Sequence, residues 1–287
     1  MIKLDHFAVL IAVVVIVVLS LWPLQGHGEG DQEGHDDATE QGKEHGNTGG
    51  DAAGDAGGHA VHWSYGGAEG PEHWGDLSAE FAVCKSGRMQ SPIDIAADAT
   101  GLAVGAPGHD FAYTEAPLSI LHNGHTVQLN YAPGSSMSVQ GQQYELLQFH
   151  FHAPSEHTVG GRSYPMEAHF VHKDSHGGLA VVGVLIEEGA ANAALADAWA
   201  HLPGHEAAEQ TMADVRIDAD AILPADRRYH HYKGSLTTPP CSEGVRWFVL
   251  TQPISMSAAQ IEKFEAAAAP NARPIQALNG RLLIGPN

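Results

Sequence analysis

The distribution of apolar side chains divides this chain into three parts. From Phe7 to Leu19 every residue is apolar, and the run continues through Leu21-Trp22-Pro23-Leu24. From residue 27 to residue 60 apolar side chains other than Ala are absent, and Gly, Asp, Glu and His dominate. From Val61 onwards apolar and polar positions alternate in short runs broken by Gly and Pro, the signature of half-buried strands. The alternation predicts strands over Leu118 to Leu121, Thr126 to Tyr131, Met137 to Val139, Glu145 to His152, Glu167 to His172, Leu179 to Glu187 and Arg246 to Leu250. Leu179 to Ile186 is apolar at nearly every position, as a central strand covered on both faces would be. Helical signals are few: Ala191 to His201, and Ser257 to Ala268, which opens with a Ser cap and Gln260 three residues on. No internal repeat is present. The expected organisation is an N-terminal signal peptide or signal anchor over residues 1–26, a disordered acidic His/Gly-rich linker over 27–60 and one mainly β (α+β) domain over 61–287.

Charge sharpens this division. Formal net charge is −20, and residues 27–60 hold nine Asp/Glu against Lys43 alone, about −8, leaving about −12 for the remainder. A surface this acidic argues against nucleic acid and anionic lipid as partners. The linker has too little apolar surface to offset chain entropy by burial. Its His27, His35, His45 and His59 are either a loose metal store or simply part of a soluble spacer. The apolar run from Phe7 to Leu24 is about 18 residues, near the lower limit for spanning a bilayer and longer than the usual apolar region of a signal peptide. No Ala-x-Ala cleavage site follows it, which tips the expectation towards an uncleaved anchor. In either case Lys3 on one flank and the acidic stretch on the other place the remainder outside the cytoplasm, periplasmic or extracellular. Membrane contact is expected only through residues 7–24. The oligomeric state is left open, a dimer being one option.

Candidate chemistry concentrates between Gln148 and His169. Successive side chains of a strand point to opposite faces, so Gln148, His150 and His152 share one face and Phe149 and Phe151 the other. Past the loop signal Gly160-Gly161-Arg162-Ser163-Tyr164-Pro165, alternation resumes and puts Glu167, His169 and Val171 on one face. Antiparallel pairing of the two runs would gather His150, His152 and His169. Three imidazoles without a cysteine or carboxylate suit a catalytic zinc ion, because three protein ligands leave a coordination position open. Gln148 and Glu167, each two residues from a ligand, are placed to accept its second ring N–H and fix its tautomer.

Further motifs stand in order around this cluster: His62-Trp63-Ser64-Tyr65, Gly70-Pro71-Glu72-His73-Trp74, Gln90-Ser91-Pro92-Ile93-Asp94-Ile95, Asn123-Gly124-His125, Ser155-Glu156-His157-Thr158, Gly234-Ser235-Leu236-Thr237-Thr238-Pro239-Pro240 and Asn271-Ala272-Arg273-Pro274. Together, from about Trp63 to Arg273, they resemble the alpha-class carbonic anhydrases of the bacterial and secreted type. The resemblance implies a single domain built on a large, mostly antiparallel twisted β-sheet with a few peripheral short helices and zinc at the base of a conical cleft. It implies Zn²⁺ on His150, His152 and His169, with Asn271 joining Gln148 and Glu167 behind the ligands, and reversible hydration of CO₂ to bicarbonate and a proton. Thr237 would orient the zinc hydroxide, its own hydroxyl donating a hydrogen bond to Glu156. Val171, Val181, Leu236, Val245, Trp247 and Thr238 match the substrate pocket, whose apolar character suits CO₂. His125 matches the proton shuttle, expected near its unperturbed pKa of about 6.5, with Tyr65, Asn123 and Gln128 ordering the intervening water. Gln128 departs from the best-known animal pattern, which has Asn there. His122 reads as either a spectator or a second relay, and His157, His172, His230 and His231 as structural. Cys84 and Cys241, the only cysteines, match the family's disulfide, and export favours the bond. Two other readings compete with CO₂ hydration: an inert binding module, as in relatives that have lost a zinc ligand, and ester hydrolysis at the same metal.

Overall fold

The computed structural model describes residues 61–96 and 109–286. The apolar run and the acidic linker lie outside the described residues. Among those described, no helix is long and apolar enough to cross a membrane.

The strands, in chain order, are β1 (Asp94–Ile95), β2 (His109–Ala112), β3 (Ala116–His122), β4 (Val127–Asn130), β5 (Ser136–Val139), β6 (Gln142–His152), β7 (Thr158–Val159), β8 (Met166–Lys173), β9 (Leu179–Glu188), β10 (Ala207–Ile217), β11 (Tyr229–Ser235), β12 (Glu243–Leu250) and β13 (Ile254–Met256). Eleven of them form one sheet, whose main path runs β10-β3-β4-β6-β8-β9-β12-β11. Its pairings are antiparallel except β9 with β12 and β9 with β13, which are parallel. All seven predicted strands are present, most of them a residue or more longer than the pattern indicated. The predicted helix over Ser257 to Ala268 is observed as Ala258–Ala268, with Ser257 and Gln260 completing a capping box. The predicted helix over Ala191 to His201 shrinks to a 3₁₀ turn at Ala193–Leu195 and one α-turn at Ala196–Ala200. Asn192 caps the first of these by accepting from the Ala194 amide.

One face of the sheet packs against the helices through Leu118, Ile120, Leu129, Phe149, Phe151, Phe170 and Val182, with Phe151 wedged between Trp199 and Phe264. The other face carries the polar side chains. A β-bulge in β6 decides which is which, because Leu146 opposes His172 on β8 while Gln148 opposes Val171. The extra residue, Leu147, shifts the alternation by one. Tyr144 and Leu146 are buried before the bulge, Phe149 and Phe151 after it, and His150 and His152 emerge on the open face. β9 is buried from Ala180 to Ile186, in line with its apolar run. Outside the sheet, the Cys84–Cys241 disulfide joins Trp74 in a small separate core.

Candidate metal centre and active site

The predicted pairing is the one observed: His150 opposes His169 and His152 opposes Glu167 across β6 and β8. The three ring centroids lie 4.5–5.3 Å apart, and one nitrogen of each lies within 4.8 Å of the others. In every ring the second nitrogen is already engaged. His150 Nδ1 donates to Gln148 Oε1 at 2.9 Å, His152 Nδ1 to the Asn271 backbone oxygen at 2.7 Å and His169 Nε2 to Glu167 Oε1 at 3.0 Å. Those bonds fix the tautomers and leave Nε2, Nε2 and Nδ1 with free lone pairs converging on one point. His152 Nε2 is buried with no hydrogen-bond partner, an arrangement that costs stability unless something else binds there. Burial, with the neighbouring imidazoles contributing, lowers all three pKa values, that of His152 to about 4. The neutral ligand form is therefore the one present at neutral pH, and the donor set fits zinc.

Glu167 organises the floor of the site. Its Oε2 accepts the backbone amides of Glu156 and His157, and its Oε1 accepts His157 Nδ1 at 2.7 Å as well as His169. Burial alone would raise its pKa, but His157 and His169 hold the carboxyl well below the usual range. Gly183 on β9, opposite His169, is required there, because a Cβ would lie 2.9 Å from Glu167 Oε1. His157 is thus an anchor of the cluster, its Nε2 lying 2.7 Å from the Tyr232 hydroxyl. Its adjacency to Glu156 was the available sequence signal, but its partner Glu167 lies on another strand.

Glu156 sits beneath the cluster. Its Oε1 accepts the Arg273 amide at 2.9 Å, and its Oε2 lies 3.6 Å from His152 Nε2 and 3.8 Å from His169 Nδ1. Burial pushes its pKa up to about 7 against the lowering effect of His169, the Arg273 amide and the Thr237 hydroxyl. Thr237 is close enough to favour the ionised form, while Oε2 makes no hydrogen bond of ordinary geometry. The Thr237 loop is held by the Leu236 amide donating to the Ser242 oxygen and the Cys241 amide donating to the Thr238 oxygen. The disulfide fastens its far end.

Beside the histidines stands an apolar wall. Val171, Val181, Leu236, Val245 and Trp247 belong to one hydrophobic cluster, and the Trp247 ring centroid is 4.8 Å from that of His169. Thr238 is half-buried in the turn that follows Thr237.

His125 stands on the turn between β3 and β4. Its imidazole is stacked on Trp63, a contact that spacing in the sequence does not disclose, and Tyr65 meets it edge-on at 6.5 Å. The expected pKa near 6.5 needs correction: burial, then His62 and His122, lower it, with Glu206 opposing. Asn123 Oδ1 accepts the backbone amides of His125 and Thr126 at 3.0 and 2.9 Å. It shapes the His125 turn. Gln128 lies on the cleft face opposite His150 and donates to Asn130. Asn271 Nδ2 donates to the His125 and Phe151 backbone oxygens, tying the His125 turn to the ligand strand. His122 is not a relay, because its Nδ1 accepts from the Gly124 amide and its Nε2 donates to the Ala267 oxygen. His172 and His231 are structural: one is bound by Tyr113, the other stacks on Phe248.

Three imidazole lone pairs aimed at one point and braced by polar partners form a cluster that could hold a metal ion beside an apolar wall. A family model for eukaryotic-type carbonic anhydrase matches residues 69–284. The chain is 47% identical over 228 residues to a carbonic anhydrase of Nostoc sp., covering 78% of this chain and 86% of the relative, and 48% identical over 229 residues to one of Klebsiella pneumoniae, covering 78% and 91%. Among solved structures it is similar to the alpha-carbonic anhydrase of Thermovibrio ammonificans in complex with the inhibitor sulfanilamide, with a TM-score of 0.75 and 45% identity over 79% of this chain and all of that one. The chain belongs to the alpha carbonic anhydrase family, and is a lyase.

Proposed function

We propose that the enzyme hydrates CO₂ reversibly to bicarbonate and a proton with Zn²⁺ held by His150 Nε2, His152 Nε2 and His169 Nδ1. The supporting observation is the set of three tautomer-fixed lone pairs, one of them on the otherwise partnerless His152 Nε2. When bound, zinc supplies Lewis-acid activation of water near neutral pH. A cation on the three imidazoles favours the ionised form of Glu156. Ionised Glu156 accepts a hydrogen bond from the Thr237 hydroxyl, which leaves Thr237 only its acceptor lone pairs to orient the attacking nucleophile. The wall of Val171, Val181, Leu236, Val245 and Trp247, with Thr238 at its edge, excludes water from the side where uncharged CO₂ lodges. His125 carries the released proton out past Tyr65 and Gln128.

Residues 1–26 are proposed to export the domain, as a cleaved signal or a retained anchor, and 27–60 to tether it outside the cytoplasm. The metal assignment is tested by zinc stoichiometry together with sulfanilamide binding followed by Trp fluorescence. One zinc per chain and sulfonamide binding that both disappear in His152→Ala support it. Undiminished zinc in that variant contradicts it.

A further inference from the structure

Beyond the histidines, the cleft face of the sheet continues as a row of polar side chains. Gln128 and Asn130 on β4 oppose His150 and Gln148 on β6. On the next strands out, Ser119 of β3 opposes Asn130, and Thr211 of β10 opposes Ser119. Between the Ala207–His122 and Gln210–Ile120 pairs, β10 carries one residue more than β3, so Glu209 sits in a bulge at the end of the row. Its Oε1 accepts from Ser119 Oγ and, at 2.9 Å, from Asn130 Nδ2. Ser119 Oγ is 3.1 Å from Thr211 Oγ1, and Gln128 Nε2 donates to Asn130 Oδ1 at 2.6 Å.

The direction of these hydrogen bonds is forced from the outer end. An ionised carboxylate only accepts, and the bonds from Ser119 and Asn130 keep the Glu209 carboxyl below its ordinary pKa. Asn130 must therefore give Glu209 its NH₂ and turn its carbonyl to Gln128, which must answer with its own NH₂. Gln128 Oε1 is then the acceptor left for water beside His150. A neutral residue in place of Glu209 would accept or donate equally well, so both amides could reverse together.

We propose that Glu209 is a positioning residue which, through Asn130, fixes the Gln128 amide and with it the orientation of the water that carries the proton from the metal site to His125. The inference rests on the CO₂-hydration reading. Atoms of Glu209 touch neither substrate nor metal ligands, so its removal acts on proton export and leaves CO₂ conversion alone.

Two measurements on the full-length chain test it. In stopped-flow CO₂ hydration with the zinc-loaded enzyme, Glu209→Gln should lower kcat about fivefold, the rate equivalent of one net hydrogen bond of about 1 kcal/mol. Its kcat/KM should be unchanged, imidazole buffer should restore kcat, and Glu209→Asp should keep most of it. In ¹H–¹⁵N spectra of the metal-free chain, the side-chain amide signals of Gln128 and Asn130, single in the parent, should split or broaden in Glu209→Gln. An unchanged kcat, or a parallel fall of kcat and kcat/KM, overturns the proposal. If the parent itself is no faster than buffer, the hydration reading fails separately, and unaltered amide signals in the variant then overturn the role of Glu209 as well.

Discussion

His125 lies flat against Trp63, with ring centroids 3.6 Å apart and planes inclined by 8°. The indole covers one face of the imidazole, and burial is the largest cause of its lowered pKa. Trp63→Ala should return water to that face and move the His125 pKa upwards, towards 6.5. The acid limb of the kcat profile should shift to higher pH by the same amount, with kcat/KM unaffected. A His125 titration by NMR that does not move in the variant would show that the stack has no influence on proton transfer.

Gly183 and Glu167 are coupled by want of space. An alanine methyl at 183 would meet Glu167 Oε1 at 2.9 Å, and that oxygen holds both His169 and His157. Gly183→Ala is expected to weaken zinc binding by about 10-fold to 100-fold, the usual cost of losing an outer partner of a metal ligand. Competition with a fluorescent chelator measures it, and parental affinity would mean that Glu167 relaxes freely.

His172 links stability to pH. It is fully buried, with Tyr113 Oη 2.6 Å from its Nε2, and burial lowers its pKa to about 4. The unfolded chain takes up this proton near pH 6.5, the folded chain only near 4, so stability is complete above 6.5 and falls as the pH drops towards 4. The loss from this group amounts to about 3 kcal/mol. Urea midpoints from pH 7 to 4 should show a shallower decline in Tyr113→Phe/His172→Leu, which removes both partners at once. An identical decline would assign the effect to other groups.

The disulfide closes a loop with a sequence separation of 157. In the chain-entropy model such a loop is worth about 5 kcal/mol at most. Cys84→Ser/Cys241→Ser should lose stability approaching that amount in denaturant unfolding. It should lose activity too, because Cys241 ends the turn that carries Thr237. A variant as stable and as active as the parent would show that Trp74 and Arg273, which donates to the Cys84 oxygen, hold this corner unaided.

The three-histidine cluster was legible because period-2 alternation puts His150 and His152 on one face, and pairing of the two runs brings His169 beside them. The bulge at Leu147 was not, since its cause is a register shift against β8. Strand β10 was missed because Ala207–Ile217 is mostly exposed and lacks a clean apolar face, and β11 because Tyr229-His230-His231-Tyr232 alternates poorly. The helix expected from Ala191 was overestimated, because Asn192 capped a tight turn and the chain leaves the helix at His201, just before Leu202-Pro203. Non-local partnerships, His157 with Glu167 and Trp63 with His125, need the folded sheet to appear.

His150, His152 and His169 are proposed to hold the zinc on which CO₂ hydration depends. Stopped-flow hydration of the full-length zinc-loaded chain, compared with His150→Ala at measured metal content, tests it most directly. About one zinc per parent chain and fast hydration are expected, both lost in the variant. A zinc-bound parent no faster than buffer, or a variant as fast as the parent, would contradict it.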